Sequence, residues 1–322
     1  MNGILPETKL RFQGVHECLA HLEKQENKDR TVALNDLNYR NGKLNGNLVN
    51  QTGIETLLSR IGIPYNYADK IPEDLLDYNI NRMLGEHGSD KAKVRFQNGV
   101  VRAVVSEKYQ PVDDLALMKI LAKKVNGTYQ AKNIIVSDRF TRLSVVNNDK
   151  PIEAKKDDVW YGGFDLFNSG TGFHAFLLYD FLWRMWCSNG AVSKEALSSV
   201  RHIHRGTPIL KAQARLRECI TNSGVKAKEQ IIAMTEARVD KPYLNSVERR
   251  LVPVFGVKES KRFREDQLDG YSSLIKQRVR TKYDVVDVVT RKAHEFEEND
   301  FGKQRELEMI GGNLISQIKA VA

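Results

Sequence analysis

The sequence predicts an α+β fold, with a sheet-rich N-terminal two-thirds that includes a β-hairpin and a helical C-terminal third. Three observations carry that expectation. Asn98-Gly99 lies between two β-rich runs, KVRFQ and VVRAVVS, and Asn-Gly in that setting is the strongest short hairpin signal. A second apolar, aromatic run holds all three tryptophans within residues 160–190 and is broken by Asn168-Ser169-Gly170-Thr171-Gly172. Gly and Asn adopt the positive-φ conformations that other residues resist, so this break reads as a turn. Beyond Ala191 the apolar residues recur at helical spacing, as in Ile209, Ala212, Leu216 and Ile220.

Taken in order, residues 14–27 place Val15, Cys18, Leu19 and Leu22 on one helical face. Thr31–Tyr39 alternates Val32, Leu34 and Leu37 as a strand does, with Asn41-Gly42 and Asn45-Gly46 as turn signals nearby. Thr52 and Glu55 have capping-box spacing, which starts a helix that ends before Gly62; Pro72 starts another. After the hairpin, Asp113–Val125 reads as a helix, and Asn133–Ser137 and Arg139–Val146 as strands. Pro208–Asn222, closed by Gly224, is an amphipathic helix, and Glu229–Val239 continues in the same style. Lys241–Pro253 holds a turn and the basic pair Arg249-Arg250, while Tyr283–Glu298 and Arg305–Ile318 read as the last helices. A division, if present, falls near Gly206 and Pro208: 1–205 as an α+β core domain and 206–322 as a mainly helical basic region. The two can equally form one continuous domain.

Several segments carry a resemblance. Asn168-Ser169 with Gly172, followed by Cys187, Asn189 and Gly190, gives N-S-x-x-G and C-x-N-G elements. These resemble the central signature of a phage- and plasmid-associated protein family of unknown function. Its members usually read N-S-E-x-G; here Gly170 occupies the third position. Residues 57–67, LLSRIGIPYNY, are similar to its "rlGIPxxY" segment, and Ile71–Leu76 with Asn81–Leu84 to "mPxxLLaxNxNxxL". Val101–Asp113 resembles "vRAxLSxrYxpiDn", and Tyr283–His294 resembles "tlyDvxNaxTxxAH". The ordered set implies origin on a mobile element and leaves the activity open.

Composition narrows the function classes. The 322 residues are 41% hydrophobic and 28% charged, ordinary for a globular protein able to bury a substantial core. Asp180 and Arg184 interrupt the longest apolar run, which stays short of the roughly 18 residues that cross a bilayer. No membrane partner is expected, and MNGILPETKLRF lacks the order of a signal peptide. Cys18, Cys187 and Cys219 are an odd number without CxxC spacing. That argues against a disulfide framework or zinc ribbon and suits a reducing cytoplasm, here that of a bacterial host.

Charge points to a partner. Residues 201–264 hold 15 basic and 6 acidic residues and so account for the whole net charge of +9. Clustered cations release condensed counterions from a polyanion; the alternative is a solvated helical face. The candidate phosphate-tracking residues there are Arg201, Arg205, Lys211, Arg215, Arg249, Arg250, Lys261, Arg262 and Arg264. On the hairpin, Arg95 and Arg102 project beside Phe96 and Val100, where an arginine either meets phosphate or keeps an edge soluble. Arg139, Phe140 and Arg142 resemble the aromatic-with-basic strand that stacks a base, against the alternative of a core phenylalanine.

The expected partner is nucleic acid, single-stranded DNA above all, bound without sequence preference by a protein of recombination or replication. Annealing proteins of this type form homo-oligomers. Two alternatives belong to other classes: a protein-interaction factor acting on a host defence or replication protein, and a metal-dependent nucleic-acid-processing enzyme. For a metal, His202 and His204 share a face only on a strand, with His174 and His294 as further ligands, and Arg201 and Arg205 beside them repel a cation. Cys187 follows an aromatic run where burial raises a thiol pKa. Gly162–Gly172 lacks the lysine of a phosphate loop. The acidic pairs Asp113-Asp114 and Asp157-Asp158 put neighbouring carboxylates on opposite sides of a strand. The chain therefore reads as a binding protein rather than an enzyme, with no catalytic residue, metal or cofactor assigned. Asn168, Ser169 and Asn189 are expected to organise turns.

Overall fold

The computed structural model describes residues 3–124, 129–156, 158–184, 199–202, 204–205, 208–222, 225–296 and 301–316. Three Asn-Gly pairs make the turn their chemistry favours. Asn41, Asn45 and Asn98 take φ of 49°, 47° and 50°, and the glycines after them 74°, 80° and 80°, the left-handed pair of a two-residue hairpin.

The N-terminal part contains β1 (Lys9–Phe12), α1 (Val15–Glu23) and β2 (Asn27–Ala33). The short strands β3 (Tyr39–Arg40), β4 (Lys43–Leu44) and β5 (Asn47–Leu48) form a meander between the Asn-Gly turns. Helices α2 (Gln51–Arg60), α3 (Tyr65–Ala68) and α4 (Glu73–Glu86) follow, then the hairpin of β6 (Lys91–Gln97) and β7 (Val100–Ser106). Strands β2, β6 and β7 make a three-stranded antiparallel sheet. Helix α2 lies close on β7 because Gly53 carries no Cβ, which would stand 2.4 Å from the Val101 carbonyl oxygen. Ile54, Leu57, Leu76 and Ile80 then bury against Val94, Val101 and Val104.

Three local readings are corrected here. Helix α1 stops at Glu23 because β2 begins at Asn27, earlier than the expected strand, and residues 34–36 form a 3₁₀ turn. The N-cap of α2 is Asn50, whose side chain accepts from Gly53 N; Thr52 instead sits inside the first turn. Val101 and Val104 face one core although they lie three apart, because a β-bulge shifts the register. Arg95 stands opposite Ala103 and Phe96 opposite Val101, so Arg102 is the extra residue.

Next come α5 (Asp114–Ala122), β8 (Tyr129–Ser137), β9 (Thr141–Lys155), β10 (Asp158–Asn168), β11 (Phe176–Arg184) and β12 (Ser199–His202). A six-stranded antiparallel sheet runs β1-β8-β9-β10-β11-β12. On one face, Leu143, Val145, Phe164, Leu166, Phe176 and Leu178 bury against α1, α5 and α6 (Pro208–Asn222). Each large side chain fully buried there contributes about 1.5–3 kcal/mol.

Helices α7 (Val225–Glu236), α8 (Lys241–Phe255), α9 (Val257–Phe263), α10 (Lys282–His294) and α11 (Phe301–Ser316) build a third core over the far ends of β9, β10 and β11. Ile152, Trp160 and Leu182 enter it from the sheet. Lys241–Pro253 is thus helix rather than turn: Asp240 caps it, Pro242 stands in the first turn, where no N–H is needed, and Pro253 forgoes one backbone bond with only two helical residues after it. The cores do not divide at residue 205, since α6 shares its core with α1 and α5. No helix among the described residues is long and apolar enough to cross a membrane.

Candidate functional site

The bulge decides where the hairpin arginines go. Arg95 and Arg102 are 8% and 9% exposed and turn inward; neither projects into solvent from an exposed ribbon. Between the hairpin, β1, α1 and the end of β8 they line a cavity of about 590 Å³. Arg95 Nε donates to Asp29 Oδ1 at 3.0 Å, and its Nη1 donates to the Gly170 carbonyl. Arg102 is different: its Nε is buried and has no hydrogen-bond partner. Burial, then the neighbouring charge of Arg95, pulls its pKa down, while Asp114 and Asp138 hold it up.

Those two aspartates close the cavity. Burial pushes both carboxyls above the ordinary range, against hydrogen bonds from Asn168 to Asp114 and from Thr8 N to Asp138. Asp113, Gln25, Asn27, Gln97 and Asn98 supply further polar groups around the walls, and Leu10, Leu22, Pro111 and Val136 supply apolar ones.

The turn after β10 is the keystone between sheet and hairpin. Asn168 Nδ2 donates to Val112 O at 2.8 Å and to Asp114 Oδ1 at 2.6 Å. Ser169 Oγ donates to Arg139 O at 2.6 Å, and the Ser169 carbonyl accepts from Tyr109 Oη at 2.7 Å. Thr171 Oγ1 donates to Asp138 O at 3.0 Å. Asn168, Ser169 and Thr171 are fully buried, so both hydroxyls and the Asn168 amide nitrogen bond inside the protein, while Asn168 Oδ1 is left without a partner. Gly170 has a packing reason: a Cβ would lie 3.2 Å from Nη2 of Arg102 and 3.2 Å from Nη1 of Arg95.

Beside this turn the structure gathers an aromatic and basic rim. Arg139 Cζ lies 4.7 Å from the Phe173 ring centroid and Arg142 Cζ 5.0 Å from that of Phe167. Phe140, half-buried rather than in the core, meets His174 edge-on at 6.1 Å. Register then extends the rim across the sheet: Arg11 opposes Ile135, Ile135 opposes Arg142, Arg142 opposes Phe167, Phe167 opposes Leu177, and Leu177 opposes Arg201. All six fall on one face, away from the core of α1, α5 and α6. Acidic groups balance part of it: Arg139 pairs with Glu7 and Glu55, and Arg142 with Asp165 at 3.2 Å. Arg11, Phe167 and Phe173 were not singled out by the sequence reading, and His174 only as a metal ligand, because their neighbours come from distant strands.

The remaining candidates are spread over the surface. Arg201, Arg205 and Lys211 are exposed near the β12 edge. Arg215 pairs with Glu218, Lys261 with Glu265 at 3.9 Å and Arg262 with Asp266 at 3.4 Å, all within their own helical turns. Arg264 lies 2.8 Å from Glu248, close enough for an ion pair though not aligned for a hydrogen bond, and 3.6 Å from Glu265 and Asp269. Arg249 is exposed and donates to Asn245 O, while Arg250 is partly buried. The dense basic run is therefore interleaved with carboxylates, and exposed pairs of this kind contribute little to stability.

His204 is buried, its Nε2 lies 3.0 Å from His174 O, and burial lowers its pKa. The side chains of His202 and His294, and Asp157, Cys187 and Asn189 entirely, lie outside the described residues. Among the described residues no three His, Cys, Asp or Glu side chains gather to hold a metal ion. Cys18 and Cys219 are buried thiols pushed up to about 12, by burial first and by nearby carboxylates second, which makes them poor nucleophiles. No family model matches this chain, and neither a curated protein nor a solved structure shows significant similarity to it.

Proposed function

We propose that the protein binds single-stranded nucleic acid, DNA above all, in recombination or replication on a phage or plasmid in the cytoplasm of a bacterial host. One observation carries this reading: the rim where Arg142 lies over Phe167, Arg139 over Phe173, and Phe140 against His174. Aromatic faces stack bases of any sequence at about 1–3 kcal/mol per base, while cations follow the backbone. With strands about 4.8 Å apart, the row from Arg11 to Arg201 spans about 24 Å, enough to track a strand rather than a single nucleotide. Annealing by copies assembled along the strand is the mode that this reading implies.

The test is fluorescence anisotropy of labelled single- and double-stranded oligonucleotides without metal, at several salt concentrations. Wild type should prefer the single strand and weaken steeply with salt. The variant Arg11→Gln/Phe140→Ala/Arg201→Gln, built from side chains outside the core, should bind at least tenfold more weakly. Neutralising Arg249, Arg250, Lys261, Arg262 and Arg264 should cost less, since several of those charges are already matched. No binding at low salt would overturn the proposal.

A further inference from the structure

We propose that the cavity between the hairpin and the six-stranded sheet is a pocket for a nucleoside monophosphate, with Arg102 as the residue that receives the phosphate. This site is separate from the rim and does not rest on the strand-binding reading.

The first observation is an unsatisfied donor. Arg102 is 9% exposed and its Nε has no partner. Leaving a buried charged donor unpaired is costly, and an anionic ligand would complete it. The second is convergence. Arg95 reaches the same point but is fixed there by Asp29 and the Gly170 carbonyl, so it shapes the pocket while Arg102 stays available. Gly170 keeps the space in front of both guanidiniums open, since even a Cβ there would touch both.

Size and polarity narrow the ligand. About 590 Å³ is far more than one inorganic ion needs, and falls within the range of small-molecule pockets. Gln25, Asn27, Gln97 and Asn98 bring amide donors and acceptors to the walls, the groups that read the edge of a nucleobase. Asp29, Asp113, Asp114 and Asp138 also line the pocket. Asp29 is matched to Arg95, and burial favours the neutral forms of Asp114 and Asp138, which leaves Arg102 to meet one phosphate and nothing to meet the added charge of a triphosphate. A free nucleotide and the 5′-phosphorylated end of a strand present the same chemistry, and the experiment separates them.

Calorimetric titration of the full chain with thymidine and deoxyadenosine 5′-monophosphates is the first arm, with thymidine and inorganic phosphate alongside. The second arm compares 5′-phosphorylated with 5′-hydroxyl oligonucleotides. Arg102→Gln removes the anchor, and Gly170→Glu supplies an internal carboxylate to both arginines. A monophosphate that binds where thymidine does not, weakened at least tenfold by each substitution, supports a free-nucleotide site. A tenfold preference for the 5′-phosphorylated strand, abolished by the same substitutions, supports a strand-end site. Neither behaviour in wild type, or either one unchanged in both variants, overturns the pocket. Should a variant fail to fold, the melting temperature of wild type decides: monophosphate or phosphorylated strand must raise it, and the unphosphorylated counterpart must not. The rim variant should keep monophosphate affinity, so failure of strand binding and failure of this pocket are read separately.

Discussion

Asn50 Oδ1 lies 2.8 Å from both Gly53 N and Thr52 Oγ1, and Thr52 Oγ1 is also 3.0 Å from the Arg102 carbonyl. The Asn50 side chain thus caps α2, and the Thr52 hydroxyl beside it ties that helix to the bulged strand. Asn50→Ala should destabilise the protein by about 1–2 kcal/mol in urea unfolding, and Asn50→Asp should not restore it, because the buried Asn50 side chain also bonds the Asp138 carboxylate and a second carboxylate would repel it. Asp284 is a second such residue. Burial opposes its charge, but Lys155 and the backbone N–H groups of Arg280 and Thr281 prevail, and its pKa is lowered. Its contribution is therefore present above the ordinary carboxylate range and is lost as pH falls through the depressed value. An acid titration followed by tryptophan fluorescence should show that loss in wild type, and Asp284→Asn should flatten it.

Between elements, the contact of α10 with α11 depends on Gly311. A Cβ there would lie 2.6 Å from Cγ2 of Thr290. Gly311→Ala should cost about 1–3 kcal/mol by overpacking. Adding Thr290→Ser removes that methyl and keeps a hydroxyl for the bond to Val286 O, so the double variant should recover most of the loss in denaturant melts. The same scale explains what could be read from residues alone. The 98–99 hairpin and α6 were legible because local chemistry decides them: two left-handed turn positions in one case, an uninterrupted apolar stripe in the other. Helix α8 was hidden by Pro253, which reads as a breaker unless its place in the final turn is known. The inward course of Arg102 was hidden by the bulge, since strict alternation gives a different face from the one it takes. The cavity was out of reach altogether, because Thr8, Gln25, Asp114 and Gly170 meet only after the sheets have paired.

At the scale of the described molecule, strands rather than linkers join the middle and C-terminal cores. Strand β9 places Leu143 and Val145 in the middle core and Ile152 in the C-terminal one; β10 does the same with Phe164 and Trp160. Trp160 Nε1 donates to Tyr283 Oη at 2.7 Å, and that hydroxyl donates to Asp158. Sheet and C-terminal helices therefore share both apolar and polar contacts. Scanning calorimetry should show these two cores unfolding in one transition. A fragment of residues 1–205 should fail to give a stable folded monomer, because it loses α6 from one core and exposes Ile152, Trp160 and Leu182 from the other. Two separate transitions, or a well-folded fragment, would contradict this.

The pairing of Lys9 with Ser137 and Phe12 with Ile134 also orders events during synthesis. Strand β1 emerges from the ribosome well before its hydrogen-bonding partner β8, which lies about 125 residues further along the chain. At translation rates of about 5–20 residues per second, that wait is on the order of ten seconds. Meanwhile the β3–β5 meander and the β6–β7 hairpin can close from neighbouring residues, as low-contact-order structure does. Among the described strands β1 thus waits longest for its partner, and this early unpaired segment is where a chaperone would find the protein unfinished.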